Sequence, residues 1–312
     1  MTRPLSAAER LHLTSAVRAR TASSLLRAQA DVARLQRSWA DALAGSDLDR
    51  MVSWAVLVLS AQVRLGTFQA TCEQRPLAPA LCAGGVAHGV QAWSLYVPLA
   101  ARAGRELWLP TGHEPQLPWL WALAELSGME PEATWLAGLL HAWFRSGVMD
   151  SVPADPALND LMWCLVKARH TGVWPDETEW PETLGRYRPL MALEGTDPGA
   201  AVDAVHAVGD LALRCRAEVL EVQPDLAYET EPWGLLPLDL LLLSHQRVAR
   251  RGAPLPGLRD HPWTASPMAQ MPVGRPAPAE PADAQMAQLA AVARQQLGDA
   301  WQQFPALPAV PD

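Results

Sequence analysis

The residues best suited to chemistry lie between Trp174 and Glu182, which we call the acidic segment. It holds four carboxylates and two tryptophans, with no basic residue among them in the sequence: Asp176, Glu177, Glu179, Glu182, Trp174 and Trp180. Tryptophans inside a polar rim are enriched at protein interfaces, and acidic rim charges speed association with a basic partner. The pattern therefore predicts a partner-binding surface. The alternative is a solvated loop whose tryptophans pack back into the core.

A second acidic run follows closely, because residues 217–231 contain five carboxylates and neither Lys nor Arg. Within it, Glu229 and Glu231 are predicted to extend the partner-binding surface. The chain carries a net charge of −8, whereas its first 37 residues are rich in Arg, so the charge is polarised along the sequence. This balance disfavours direct nucleic-acid binding and favours a basic protein partner, such as one that itself cleaves nucleic acid.

Motifs for catalysis and for metal binding are missing from the sequence. The eight histidines are scattered without an H-E-x-x-H spacing, and the four cysteines form no C-x-x-C pair. A nucleophile elbow, a phosphate-binding loop and a dinucleotide fingerprint are also absent. Cys82 and His88 could approach a metal, but two ligands alone are a weak signal. We therefore predict no catalytic residue, no cofactor and no metal.

The same composition predicts where the protein works. Few cysteines in a long chain fit a reduced cytoplasm. The N-terminal residues include Arg3, Glu9 and Arg10 and lack the apolar core of a signal peptide. Uninterrupted apolar runs such as 240–243 fall far short of the roughly 18 residues that a membrane span needs. The expected location is cytoplasmic, with no membrane association.

The elements that must position these residues are predicted to be helices. Ser6 and Glu9 form a capping-box pattern, and the chain then runs without Gly or Pro to Gly45. An a/d stripe in this helix suits either a bundle or a dimerising coiled coil: Leu25, Ala28, Val32, Leu35, Trp39 and Ala42. Further helical patterns cover 48–74, 87–103, 116–127, 131–146, 156–171, 199–221 and 235–251.

Strand signals are poor, because the chain has no Ile and β-branched residues never alternate with polar ones over a useful length. Gly84 and Gly85 indicate a turn before the helix at 87–103. The sequence therefore predicts an all-α fold, a single irregular bundle of antiparallel helices over residues 1–272. Residues 273–283 form a Pro-rich linker by composition, and 284–312 form a C-terminal helix and tail that docks weakly or is flexible.

The segment 230–272 has the clearest helix boundaries. Pro237 and Asp239 suit a first turn, Arg250 and Arg251 suit a last turn, and Gly252 is a stop signal. A proline-braced tail follows. In this tail, the Asp260 carboxylate or the His261 imidazole is interpreted as a clamp that satisfies nearby backbone groups.

This segment resembles the C-terminal signature of helical bacterial proteins that are associated with polymorphic toxin loci. The corresponding positions are Pro237, Asp239, Arg247, Gly252, Pro254, Pro256, Asp260, His261, Pro262 and Pro267. The layout of an Arg-rich first helix, Trp-bearing middle helices and a late acidic stretch is also similar to all-helical immunity proteins of the immunity-protein-49 type. Trp263, in place of an aliphatic residue, and the tail after Pro272 depart from the pattern.

The resemblance implies a protein that binds and blocks a cognate toxin without turnover. Our first hypothesis is therefore a cytoplasmic immunity protein that occludes a toxin with a basic surface. A helical scaffold or adaptor without a toxin partner is the second hypothesis. A helical enzyme acting on an apolar substrate held among the tryptophans is the third.

Overall fold

A computed structural model describes residues 3–45, 47–77, 79–108, 115–151, 155–192, 197–217, 233–270, 282–298, 301–302 and 304–307. Within these ranges the protein has ten α-helices, packed in antiparallel contacts, and no strand. The predicted all-α class is confirmed. The helices are α1 (Ala7–Leu43), α2 (Leu48–Glu73), α3 (Pro79–Arg102), α4 (Gln116–Leu126), α5 (Glu130–Arg145), α6 (Pro156–Thr171), α7 (Arg188–Met191), α8 (Pro198–Ala217), α9 (Leu238–Arg251) and α10 (Ala282–Leu297).

The helices belong to two compact units. The first unit contains residues 1–24, 67–77 and 153–271, and the second contains 25–66, 78–152 and 272–312. Helices α1 and α2 each contribute one part to each unit.

Helix α1 begins with the predicted capping box. The Ser6 hydroxyl accepts a hydrogen bond from the Glu9 backbone N–H (3.3 Å), and the Glu9 carboxylate accepts one from the Ser6 N–H (2.7 Å). In the second half of the helix, most of the predicted stripe is buried: Ala28, Val32, Leu35, Trp39 and Ala42. This burial supports the bundle interpretation of the stripe.

The second unit is built on helices α3, α4 and α5, with α3 packed on both others. Gly85 and Gly89 lie inside α3, so the predicted turn at Gly84 and Gly85 is wrong. A Cβ on Gly85 would lie 2.8 Å from Val63 Cγ2, and one on Gly89 would lie 2.9 Å from Leu120 Cδ1. The two glycines thus let α2 and α4 each pack closely against α3. This packing offsets the low helix propensity of glycine.

The predicted C-terminal helix forms and packs on α3. Met286, Leu289 and Ala293 are buried on its inner face. Beyond it, the Trp135 indole N–H donates to the Pro305 carbonyl at 3.0 Å. The linker at 273–283 lies almost wholly outside the described residues.

The first unit packs α6 against α9 and α7 against α8. Gly252 ends α9 in the left-handed conformation, as predicted, with its N–H on the Val248 carbonyl (2.8 Å). Arg250 donates to the Ala168 and Gly172 carbonyls at the C-terminus of α6, so this cation caps a neighbouring helix. Asp239 at the start of α9 is buried and accepts a 2.6 Å hydrogen bond from the Tyr187 hydroxyl.

Helix α2 is long and apolar enough to cross a membrane by length and composition. An 18-residue window within Leu48–Glu73 has a mean hydropathy of 1.4. However, 61% of that window is buried inside the protein, and core helices meet the same criterion. The finding is therefore weak evidence for a membrane span.

Candidate protein-binding site

The acidic segment lies along α6 in the first unit. Asp176 caps a short 3₁₀ turn, Glu177–Glu179: its carboxylate accepts from the Thr178 N–H at 3.0 Å. Glu179 completes a capping box by accepting from the Asp176 N–H at 2.9 Å. The same Glu179 pairs with Lys167 of α6 at 2.8 Å. The Thr183 hydroxyl, just beyond the segment, donates to Asp160 of α6.

The two tryptophans of the segment both turn inward, but to different depths. Trp180 is 8% exposed, and its indole N–H donates to the Pro175 carbonyl at 3.1 Å. Trp174 is half-buried and donates to the Met191 carbonyl at 3.2 Å. Each ring also carries a guanidinium on its face, because Arg188 lies 5.6 Å from the Trp180 ring and Arg250 lies 5.3 Å from the Trp174 ring. Trp180 is thus part of the core, and Trp174 remains partly exposed.

The folded protein brings cations to a segment that has none in its sequence. Lys167 and Arg188 approach Glu179 and Glu177 respectively, the second pair at 3.7 Å. Sequence reasoning missed these cations because they come from α6 and α7. The charge of the segment is therefore partly compensated by its surroundings.

The four carboxylates consequently have different roles. Asp176 and Glu179 hold the turn: hydrogen bonds from Thr178 lower the pKa of Asp176, and the hydrogen bond from Lys167 lowers the pKa of Glu179. Glu177 and Glu182 are exposed. Val173, the residue that precedes the segment, is 65% exposed and adjoins the half-buried Trp174 in the sequence. We call Val173, Trp174, Glu177 and Glu182 the rim set.

The remaining predicted site residues, Glu229 and Glu231, lie outside the described residues. So does nearly all of the second acidic run, from 218 to 231. The role predicted for these carboxylates stays a prediction.

Sequence reasoning missed a buried polar network centred on Asp210 of α8. The buried Asp210 carboxylate accepts hydrogen bonds from the Leu5 N–H (2.8 Å), from Arg10 (2.7 and 3.1 Å) and from His261 (3.0 Å). Burial raises the pKa of Asp210, but the hydrogen bonds from Arg10, Leu5 and His261 outweigh it and the pKa is lowered overall. The His261 ring accepts from the Trp263 N–H at 3.2 Å, which confirms the predicted imidazole clamp.

The chemistry available elsewhere in the described residues is limited. They contain no group of three or more His, Cys, Asp or Glu that could hold a metal ion. Burial raises the pKa of the Cys164 thiol to about 12, so this thiol stays protonated and is a poor nucleophile.

A cleft of about 880 Å³ at the C-terminal end of α3 is mostly apolar, and Glu106 is the one carboxylate in its lining. A second cleft, of about 1000 Å³ between α9 and residues 254–270, likewise includes one carboxylate, Asp260.

Comparisons of the chain with protein-family models, with curated proteins and with solved structures find no match.

Proposed function

We propose that this protein is a non-catalytic immunity protein that binds a cognate toxin and occludes it. The observation that carries the proposal is the rim set, in which an exposed valine and a partly accessible tryptophan lie within a short stretch that also holds exposed carboxylates. An aromatic anchor with charged groups around it is a common composition for a protein-binding hot spot.

The way the segment is held supports binding over a mobile loop. Its turn is capped by Asp176, tied to α6 through Lys167 and braced by the buried Trp180. A surface that is ordered before binding pays less conformational entropy on association. The resemblance of residues 230–270 to proteins of toxin loci agrees with this interpretation.

The scaffold or adaptor hypothesis uses the same surface but differs in selectivity. An immunity protein binds one cognate toxin tightly and with a salt-dependent association rate, whereas an adaptor binds broadly and with little salt dependence. The enzyme hypothesis has less support from the described residues, because the clefts at the end of α3 and beside α9 each have a single carboxylate in their lining.

The test is neutralisation followed by kinetics. Each reading frame beside the gene is expressed in a sensitive host with and without this protein, and growth is scored. For a neutralised product, association and dissociation rates are measured at low and physiological salt. Glu177→Gln with Glu182→Gln should slow association several-fold at low salt, because rim charges act mainly on the association rate. Trp174→Ala should speed dissociation, since anchors act mainly on complex lifetime.

The matched control removes two exposed carboxylates elsewhere, by Asp41→Asn with Glu73→Gln, and should alter neither rate by a comparable factor. Failure to neutralise any neighbouring product would count against the immunity function. Neutralisation with unchanged rates for both rim variants would retain that function and move the interface away from the acidic segment.

A further inference from the structure

The tautomer of His261 follows from its partners. The Trp263 backbone N–H can only donate, so His261 Nδ1 must be the unprotonated acceptor of their 3.2 Å bond. The ring proton therefore lies on Nε2 and is donated to the Asp210 carboxylate at 3.0 Å. Both ring nitrogens are used, and the neutral ring satisfies them both.

The ring has no room to adjust. His261 is 0% exposed and lies on Gly209 of α8, where an added Cβ would be 2.5 Å from His261 Cε1. Four residues further along the chain, the Ala265 N–H donates to the His261 carbonyl (2.8 Å), and the Thr264 hydroxyl, which donates to the Leu258 carbonyl, lies 3.2 Å from the same oxygen. The ring and its turn are thus one packed unit.

Protonation of this ring is incompatible with the hydrogen bond that it accepts from Trp263. A proton on Nδ1 would point at the Trp263 N–H, so that two donors face each other in a buried space and the bond is lost. The protonated ring would also be repelled by the Arg10 guanidinium, which is already paired with the Asp210 carboxylate. One buried carboxylate would then serve two cations.

The charged and titratable groups around the ring come from three elements. Arg10 of α1 acts on it from one side, and Asp210 and His206 act on it from α8. The His206 ring centroid lies 5.6 Å from that of His261, and Asp203 of the same helix acts on His206. Asp260 is the neighbour on the segment itself. Burial lowers the pKa of His261, opposed by Asp210, and burial followed by Arg10 lowers the pKa of His206. Both rings are thereby favoured as neutral.

We propose that His261 is an acid-operated latch: proton uptake by its imidazole releases the turn at residues 261–265 from α8, while the helices of the first unit stay folded. The ends of the surrounding segment have anchors that do not titrate near neutral pH. The Leu255 N–H donates to the Ser244 hydroxyl at 3.0 Å. Met268 is buried, and its Sδ lies 3.0 Å from the Thr71 hydroxyl, which donates to the Thr67 carbonyl at 2.7 Å. Release is therefore confined to the part that the histidine holds.

The direction of the pH effect follows from linkage. A histidine whose pKa is lowered in the closed state stabilises that state fully above its open-state pKa of 6.5, and the stabilisation falls as the pH falls below it. The lowered pKa of Asp210 acts in the same direction, but its contribution is lost only below 3.8. A change that begins near pH 6.5 thus identifies a histidine.

The test is hydrogen exchange of the intact protein at pH 7.5 and pH 5.0, corrected for intrinsic exchange rates. Opening measured at the Trp263 and Ala265 amides should rise several-fold at pH 5.0, and by no more than about 30-fold, the ceiling set by an open-state pKa of 6.5. Peptides from α6 should keep their protection. Nuclear magnetic resonance of the His261 ring should show the Nε2–H tautomer at neutral pH.

Two variants complete the test. His261→Gln keeps an amide donor and a carbonyl acceptor without titrating, so its exchange should lose the pH dependence. His206→Gln, at the neighbouring half-buried ring, should keep it. If the His261→Gln variant folds poorly, the pH titration of the His261 ring in the wild-type protein, followed by nuclear magnetic resonance, replaces this variant in the test. Equal protection of residues 261–265 at both pH values, a loss of protection shared with α6, or loss of the pH dependence in His206→Gln alone would overturn the latch.

Discussion

The acidic segment and the Asp210 network belong to the same unit, but they use carboxylates in opposite ways. In the acidic segment, polar contacts run between residues close in sequence or to the neighbouring helices α6 and α7, and Glu177 and Glu182 are exposed. In the network, one buried carboxylate joins groups 205, 200 and 51 residues away. The dense charge of the acidic segment thus belongs to an exposed surface, whereas the single carboxylate of Asp210 organises a buried network.

The sharpest test of this contrast is to neutralise one carboxylate of each kind on the same helix. Asp210→Asn should cost about 3–5 kcal/mol in the free energy of unfolding, because it leaves Arg10 without its buried partner. Asp203→Asn, two turns earlier and exposed, should cost less than about 0.5 kcal/mol. Urea denaturation monitored by circular dichroism measures both. Similar costs for the two variants would contradict the central role of Asp210.

A second test compares Trp174 with Trp180, which the sequence analysis assigned to the same partner-binding surface. Trp180→Ala should cost about 3 kcal/mol, because it leaves a cavity beneath the turn and removes the ring under Arg188. Trp174→Ala should cost roughly half as much, since its ring is half-buried. Thermal unfolding of both variants measures the difference. A larger cost for Trp174 would mean that the two rings have been assigned the wrong roles.

The sequence predicted well whatever depends on neighbouring residues. The capping box at Ser6 and Glu9 and the stop at Gly252 were read from short patterns, because a helix end is satisfied by residues within one turn. Helix α6 was predicted with the observed bounds, and its N-cap is Asp155, which accepts from the Ala157 N–H at 3.0 Å.

What the sequence did not reveal depends on the approach of distant elements. Helix α3 begins at Pro79 and not at 87, because Gly85 is a contact surface for Val63 and not a turn. The cations beside the acidic segment come from α6, α7 and α9, and the groups on Asp210 come from α1 and from the tail. No local pattern marks such partners, since long-range contacts are selected by packing.

The close approach of His261 to α8 gives a third test, again within one helix. Gly209→Ala would place a Cβ 2.5 Å from the buried ring and should cost about 1–3 kcal/mol, because neither partner can move freely. Gly199→Ala, near the start of the same helix, meets only Asp197 at 3.5 Å. It should leave stability unchanged or raise it by up to about 1 kcal/mol through helix propensity. An equal loss in both variants would show that helix geometry, not the ring contact, decides the cost.

The smallest expected effect distinguishes the two pairs of carboxylates within the acidic segment. Asp176→Ala with Glu179→Ala and Glu177→Ala with Glu182→Ala each remove two charges. The first pair removes the cap and the bond to Lys167, so it should lower the Tm by about 2 °C. The second pair should leave the Tm unchanged, because Glu177 and Glu182 are exposed and the 3.7 Å contact to Arg188 is weak. Equal shifts in the two variants would mean that net charge decides, and that the turn is not held by its own carboxylates.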